Sequence, residues 1–247
     1  MEKFDVIGDV HGCRREMQEL LRDLGYTFRD GHLLHEEGRK PVFIGDLTDR
    51  GPDSIGVLDD VTGWYAAGEA LYVPGNHCDK LYRWMIGRPV KVNHGLETTV
   101  SGFQALQKEA RKHLQDRFIS MVKEAPLYLQ LDRGRLIAAH AGIRHRDIGA
   151  APEKVRSFVL YGDTTGQFTE DGFPIRRDWA SLYPQGDEWI VYGHTPVRTP
   201  RFVGRTVNID TGCVFGGSLT ALRYPELTTL SVASAQPEVP EKFSFTD

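Results

Sequence analysis

A chain of 247 residues with 40 % hydrophobic and 26 % charged residues is long enough for a substantial buried core and too balanced to be disordered or fibrous. Its formal charge of −4 creates no global field to gather nucleic acid, so a polynucleotide partner is disfavoured. No apolar run approaches the ~20 residues that span a bilayer, and Cys13, Cys78 and Cys213 are too few and too scattered for a disulfide scaffold.

The amino terminus passes into an apolar strand without a secretion-type leader, so a cytoplasmic protein with no membrane partner is expected. That strand covers 4–7 and ends at Gly8-Asp9. Met17, Leu20, Leu21 and Leu24 recur at helical spacing across 13–24, with Gly25 at the helix end. A polar connector is read over 29–40, then a strand over 42–44 that ends at Gly45-Asp46. Ile55, Leu58, Val61 and Tyr65 give the next helix face, and a strand over 70–73 ends at Pro74-Gly75-Asn76-His77. The β-α-β-α-β alternation predicts a layered α/β fold.

Between 96 and 121, Val100, Phe103, Ala110, Leu114, Phe118 and Met121 mark one or two amphipathic helices. They are read as a helical cap, within about 80–125, of a single domain spanning 1–235. Strands follow at 127–130 and 136–139 around Asp132-Arg133-Gly134, then at 189–192, 206–209, 218–222 and 228–232. Residues 236–247 read as a loosely held tail.

The predicted strands repeatedly end in loops of one kind: Gly8-Asp9-Val10-His11-Gly12, Gly45-Asp46-Leu47-Thr48-Asp49-Arg50-Gly51, Gly75-Asn76-His77, His140-Ala141-Gly142 and Gly193-His194-Thr195. Loops beyond the carboxyl ends of strands are where open α/β sheets build their sites. Turn capping alone favours Asp and Asn in such places. Five loops in order, each pairing glycine with oxygen or nitrogen ligands, point instead to a metal site.

These motifs resemble the GDxHG, GDxxDRG, GNH, HAG and GHT signatures of the calcineurin-like metallophosphoesterases, in their phosphoprotein-phosphatase branch, over nearly the whole chain. More narrowly, PGNHCDKLYR, VNHGLETT, APLYLQLDRGRLI and PIRRDWA are similar to segments of the PrpE group of bacterial bis(5'-nucleosyl)-tetraphosphatases, which have also been described as protein phosphatases. NIDTGCVFGGSLTALRYPE is shared in kind with the phosphatase module of bacterial polynucleotide kinase-phosphatases.

The resemblance implies an αββα sandwich with a helical cap insertion and two divalent transition-metal ions. Asp9 and His11 are expected to hold the first ion, Asp46 to bridge both, and Asn76, His140 and His194 to complete the second. An N/O set rich in imidazole and free of thiolate suits Mn, Ni, Fe, Co or Zn better than Ca or Mg. Such pairs sit about 3.5–4 Å apart and activate a bound water at neutral pH. His77 is then the expected proton donor to the leaving oxygen, oriented by Asp49, with Arg50 as the phosphate clamp. A second phosphate arginine is expected among Arg144, Arg176 and Arg177, and Asp210 is expected to support a ligand histidine from behind.

His32 and His35 in the connector, His113 on a helix face and His145 read as surface residues, whereas His94, before Gly95, is a candidate substrate contact. Cys78 stands where an acid often follows GNH in the wider family, which leaves the ligand set intact. Cys13 and Cys78 read as buried thiols, and Lys80, Arg83 and Arg88 as either a polyphosphate subsite or a solvated helix face. The expected reaction is asymmetric cleavage of diadenosine tetraphosphate and related dinucleoside polyphosphates to ATP and AMP. Alternatives are a phosphoprotein (Ser/Thr/Tyr) phosphatase, a nucleic-acid end phosphatase and a non-catalytic metal-binding scaffold. No Walker-type motif accompanies the set, and no GTP binding is expected.

Overall fold

The computed structural model describes residues 2–169, 172 and 174–244. In chain order the first part comprises β1 (Phe4–Ile7), α1 (Arg14–Asp23), β2 (Tyr26–Arg29), β3 (His32–His35), β4 (Lys40–Phe43), α2 (Ser54–Ala66), β5 (Leu71–Tyr72) and α3 (Asn76–Met85). Then come α4 (Leu96–Ala105), α5 (Lys108–Glu124), β6 (Tyr128–Leu131), β7 (Leu136–Ala139), α6 (Pro152–Tyr161), β8 (Thr164–Phe168) and β9 (Pro174–Arg176). The chain closes with β10 (Trp189–Tyr192), β11 (Arg201–Val203), β12 (Thr206–Asn208), β13 (Ser218–Tyr224) and β14 (Thr228–Ala233).

Layering follows from strand alternation, because successive side chains point to opposite faces. Two five-stranded sheets form, ordered β14-β13-β1-β4-β5 and β11-β12-β10-β7-β6. Val6, Val42, Leu136, Ala138, Val191 and Leu222 meet between them. One residue along, Ile7 and Phe43 face outward and pack with Met17, Leu20, Leu58, Val61, Leu96 and Phe118 from α1, α2, α4 and α5. On the other sheet Ile137, Ala139 and Ile190 pack with Val155 and Val159 of α6. Helix, sheet, sheet and helix therefore stack in the expected αββα order.

The structure differs from the predicted elements in several places. A hairpin over 26–35 runs into the polar connector: Asp30 (φ 51°) and Gly31 (φ 84°) link β2 to β3, and a two-residue Asp-Gly turn suits that geometry. His32 and His35 accordingly stand on β3, with His32 Nδ1 2.5 Å from Glu69 Oε1 and His35 Nε2 3.2 Å from Leu24 O. α6, β8, β9 and β11 were not among the predicted elements, and α3 begins at Asn76, ahead of the helical stretch read from about 80. The α4 and α5 helices pack on α2 and α3, and their buried residues share one cluster with α1. Of the tail expected at 236–247, residues 245–247 lie outside the described residues, while Phe243 is buried and Ser244 N donates to Pro196 O (2.7 Å).

Candidate metal centre

Parallel β1, β4 and β5 in one sheet and parallel β7, β10 and β12 in the other bring their carboxyl-terminal loops to a common edge. The loops are tied through the backbone: Val10 N and His11 N both donate to Asp46 O (3.1 and 2.8 Å), and Gly193 N donates to His140 O (2.7 Å). Glycine permits the approach. A Cβ on Gly45 (φ 113°) would lie 2.3 Å from His140 Nδ1, and one on Gly193 would lie 2.5 Å from Asp9 Oδ1. His11, Asp49, Arg50 and His194 take φ of 43°, 79°, 70° and 71°, a left-handed backbone that concentrates strain at these loops.

Asp9, His11, Asp46, Asn76, His77, His140 and His194 come together here, with Asp46 at the centre. Its Oδ2 lies 3.7 Å from His11 Nε2 and 3.4 Å from His140 Nε2, while Oδ1 accepts the His77 backbone N–H (2.8 Å). Two groups share it, His11-Asp46-His77 and Asp46-His140-His194, and within each the ligand atoms lie within 4.8 Å of one another. His140 Nε2 is also 3.0 Å from both Asn76 Oδ1 and His194 Nδ1. Asp9 Oδ1 faces the His194 N–H at 3.5 Å.

Ring orientation is set from behind. His11 Nδ1 pairs with Thr48 O (2.7 Å) and His140 Nδ1 with Ile44 O (2.9 Å). A carbonyl accepts only from N–H, so each ring carries its proton on Nδ1 and keeps Nε2, the nitrogen on the Asp46 side, as the one able to ligate. His140 already spends its proton on Ile44 O, so its Nε2 meets Asn76 Oδ1 and His194 Nδ1 without a proton of its own to share, a gathering that a bound cation suits. Converging nitrogen and oxygen donors around one shared carboxylate fit a pair of divalent ions.

His77 belongs to the first group by distance, yet its ring is engaged otherwise. Its Nδ1 pairs with Asp49 Oδ2 (2.7 Å) and its Nε2 with Arg50 Nη2 (2.8 Å). The other Arg50 nitrogen, Nη1, reaches His11 Nε2 (2.7 Å), and the guanidinium lies 5.3 Å from the centre of the Phe215 ring. Neither Phe215 nor Thr99, which hydrogen-bonds Asp49, was among the residues singled out by sequence. Phe215 lies in DTGCVFGG and Thr99 in VNHGLETT, but no local pattern links either to the GDLTDRG loop.

Burial raises the Asp9 carboxyl well above its usual range, with Asp210 and Asp46 adding to the effect. Burial also pushes Asp210 up to about 7, against the Gly212 N–H that its carboxylate accepts at 3.0 Å. Burial opposes charge on Asp46 too, but His140, His77, His11 and His194 outweigh it and hold that carboxyl low. For His11, His140 and His194, burial lowers the imidazole pKa, which keeps the rings neutral and able to ligate.

The arginines separate by their partners. Arg144 Nη2 and Arg177 Nη1 both turn to Asp163 Oδ1 (3.3 and 3.2 Å), and Arg144 also covers the Phe158 ring. Arg176 donates to Tyr161 O (3.0 Å), and its charge acts on both His140 and His194. His94 is exposed with φ 60°, beside Gly95, whose carbonyl accepts the Arg50 N–H (3.1 Å). Lys80 Nζ is held by Asn93 O and Oδ1 (2.9 and 2.7 Å), and Arg83 pairs with Asp79 (3.1 Å). Cys13 and Cys78 are fully buried; Cys78 Sγ accepts the Leu47 N–H (3.3 Å).

Comparison with known proteins identifies the family and the fold. The calcineurin-like phosphoesterase family model matches residues 2–228. A Geobacillus thermodenitrificans protein named bis(5'-nucleosyl)-tetraphosphatase PrpE (asymmetrical) is 59 % identical over 240 residues, covering 97 % of this chain and 98 % of that one. A Bacillus subtilis protein of the same name is 55 % identical over 240 residues with the same coverage. The crystal structure of a cold-active protein-tyrosine phosphatase from a psychrophilic Shewanella shares the fold, with a TM-score of 0.56 at 16 % identity over 94 % of this chain and 80 % of that one. This chain belongs to the calcineurin-like phosphoesterase family and, within it, to the PrpE group.

Proposed function

We propose that this protein hydrolyses dinucleoside polyphosphates asymmetrically, taking diadenosine tetraphosphate to ATP and AMP with two divalent transition-metal ions drawn from Mn, Ni, Fe, Co or Zn. The observation that carries the chemistry is Asp46 shared between two imidazole-bearing groups. The choice of nucleotide is supported by the reaction named for relatives 59 % and 55 % identical.

Asp9 and His11 would hold one ion, Asn76, His140 and His194 the other, and Asp46 both. When bound, the pair supplies an activated water and positive charge toward phosphorus. The chain's own side chains do the rest. Arg50 spans His11 and His77 with its two Nη atoms, and with an ion on His11 its planar fork would turn to the phosphoryl oxygens. His77 holds its Nδ1–H on Asp49, and its Nε2, which here accepts from Arg50 Nη2, would be freed to carry a proton to the leaving oxygen once Arg50 turns to the phosphate. Arg176, bonded through Nε to Tyr161 O while Arg144 and Arg177 both turn to Asp163, is assigned as the second phosphate arginine. No described helix is long and apolar enough to cross a membrane, and the three cysteines are free and buried; we place the protein in the cytoplasm.

The test is a substrate panel on protein stripped of metal and reloaded with Mn or Ni. ATP and AMP should be released from diadenosine tetraphosphate with a higher kcat/KM than any phosphopeptide shows. Intact dinucleotide would sink the proposal, two ADP would refute the asymmetry, and preferred turnover of a phosphopeptide would reassign the substrate.

A further inference from the structure

We infer that Thr99, on α4, is a positioning residue for the His77–Asp49 pair; this rests on His77 acting as the proton donor. Thr99 and Asp49 are 50 residues apart in sequence and close a reciprocal pair. The Thr99 hydroxyl donates to Asp49 Oδ1 (2.7 Å), and the Asp49 backbone N–H donates to Thr99 Oγ1 (3.0 Å). A hydroxyl can donate and accept at once, which a methyl in its place cannot. The remaining carboxylate oxygen, Oδ2, accepts from His77 Nδ1 (2.7 Å). Each Asp49 oxygen therefore has one assigned partner, Thr99 for one and the catalytic imidazole for the other.

Both Asp49 and Thr99 are fully buried, so water has no path to replace the hydroxyl. The terminal torsion of an aspartate is broad, and its carboxylate plane is set by what its oxygens bind. Asp49 also needs backbone support, since it and Arg50 sit at φ 79° and 70°. That support comes from the same segment: Gly95 O, at the start of α4, accepts the Arg50 N–H, and Thr99 accepts the Asp49 N–H alongside Ser54 Oγ (3.0 Å). The first turn of α4 thus holds both residues that orient the proton donor and grip the phosphate.

The experiment compares Thr99→Val, Thr99→Ala and Thr99→Ser, alone and on a His77→Ala background. Activity is read on whichever dinucleoside polyphosphate or phosphomonoester the wild type turns over. Thr99→Val should lower kcat about tenfold or more, part of the roughly 10²–10⁴-fold that a general acid contributes, with KM changed less than about threefold. Thr99→Ser should stay within about threefold of wild type, and Thr99→Val should add nothing once His77 is gone, since coupled residues are non-additive. In metal-free protein labelled with 15N at histidine, the His77 Nδ1–H should be a protected downfield proton in wild type and Thr99→Ser, and be lost in Thr99→Val. The inference is overturned by equal impairment in Val and Ser, by an additive loss on the His77→Ala background, or by an unchanged His77 signal in Thr99→Val. A chain that folds with neither Val nor Ala overturns it as well, assigning Thr99 to folding. If the wild type turns over no phosphate substrate, the functional reading fails while the His77 signal still judges Thr99.

Discussion

Replacing Gly45 with alanine sets a methyl group where His140 must lie. The new Cβ would stand 2.3 Å from His140 Nδ1 and 2.9 Å from Gly75 Cα, and His140 is fully buried with no open side to retreat into. Overpacking of this kind costs roughly 1–3 kcal/mol, and a side chain on left-handed backbone adds about 1–2 kcal/mol. If the ring moves aside, its bond to Ile44 O is lost for about 1 kcal/mol more. Gly38 provides the control: it also has positive φ (66°), but a Cβ there meets nothing within 4 Å. Gly45→Ala should therefore lose about 1–4 kcal/mol more than Gly38→Ala in urea unfolding of the metal-free proteins. Because the displaced ring is a predicted ligand, Mn titration by calorimetry should also show affinity weakened about 10–100-fold for one of two ions. Equal urea midpoints for the two variants, together with wild-type metal binding in Gly45→Ala, would refute the reasoning.

Arg176→Ala should lower kcat/KM about 10–100-fold through loss of a charge-assisted phosphate contact, while Arg144→Ala changes it less than about threefold; steady-state kinetics in the reverse order would contradict the assignment. At the far end of β1, the buried Asp5 carboxylate is held by Arg39 Nε and Nη2 (both 2.9 Å) and the Tyr26 hydroxyl (2.8 Å). Arg39→Ala should destabilise the fold by about 3–5 kcal/mol in urea, because it leaves that charge buried without its main partner. Metal uptake should release protons: burial pushes Asp210 up to about 7 and raises Asp9 as well, so in acid protons occupy carboxyls whose charge favours cations. Mn affinity should therefore fall as pH drops through about 7, and calorimetry in buffers of different ionisation enthalpy counts the protons; no release at about pH 6.5 contradicts the sign.

The loops of the candidate metal centre were legible as a set because each motif is short and lies at the end of its own strand. His140 and His194 lie far from Asp9 in the chain, yet the shared pattern of strand, glycine and ligand predicts one edge for all of them. The β2–β3 hairpin was missed: Asp30-Gly31 is a turn signal, but the polar surroundings of His32 and His35 masked the strand alternation. The start of α3 was hidden because its first turn is the GNH motif itself, and α6 announces itself only through Pro152 at its first position. The choice among arginines was not legible: Arg144, Arg176 and Arg177 differ only in how Asp163 and Tyr161 are placed around them. Thr99 was invisible for the same reason, since its role exists only once α4 lies against the GDLTDRG loop.

The central claim is a pair of ions sharing Asp46, and electron paramagnetic resonance of the Mn-loaded protein tests it most directly. At two equivalents of Mn, wild type should show the signal of an exchange-coupled pair, and Asp46→Asn should lose that coupling together with activity. A purely mononuclear signal from wild type, or an unchanged coupled signal in Asp46→Asn, would contradict the account.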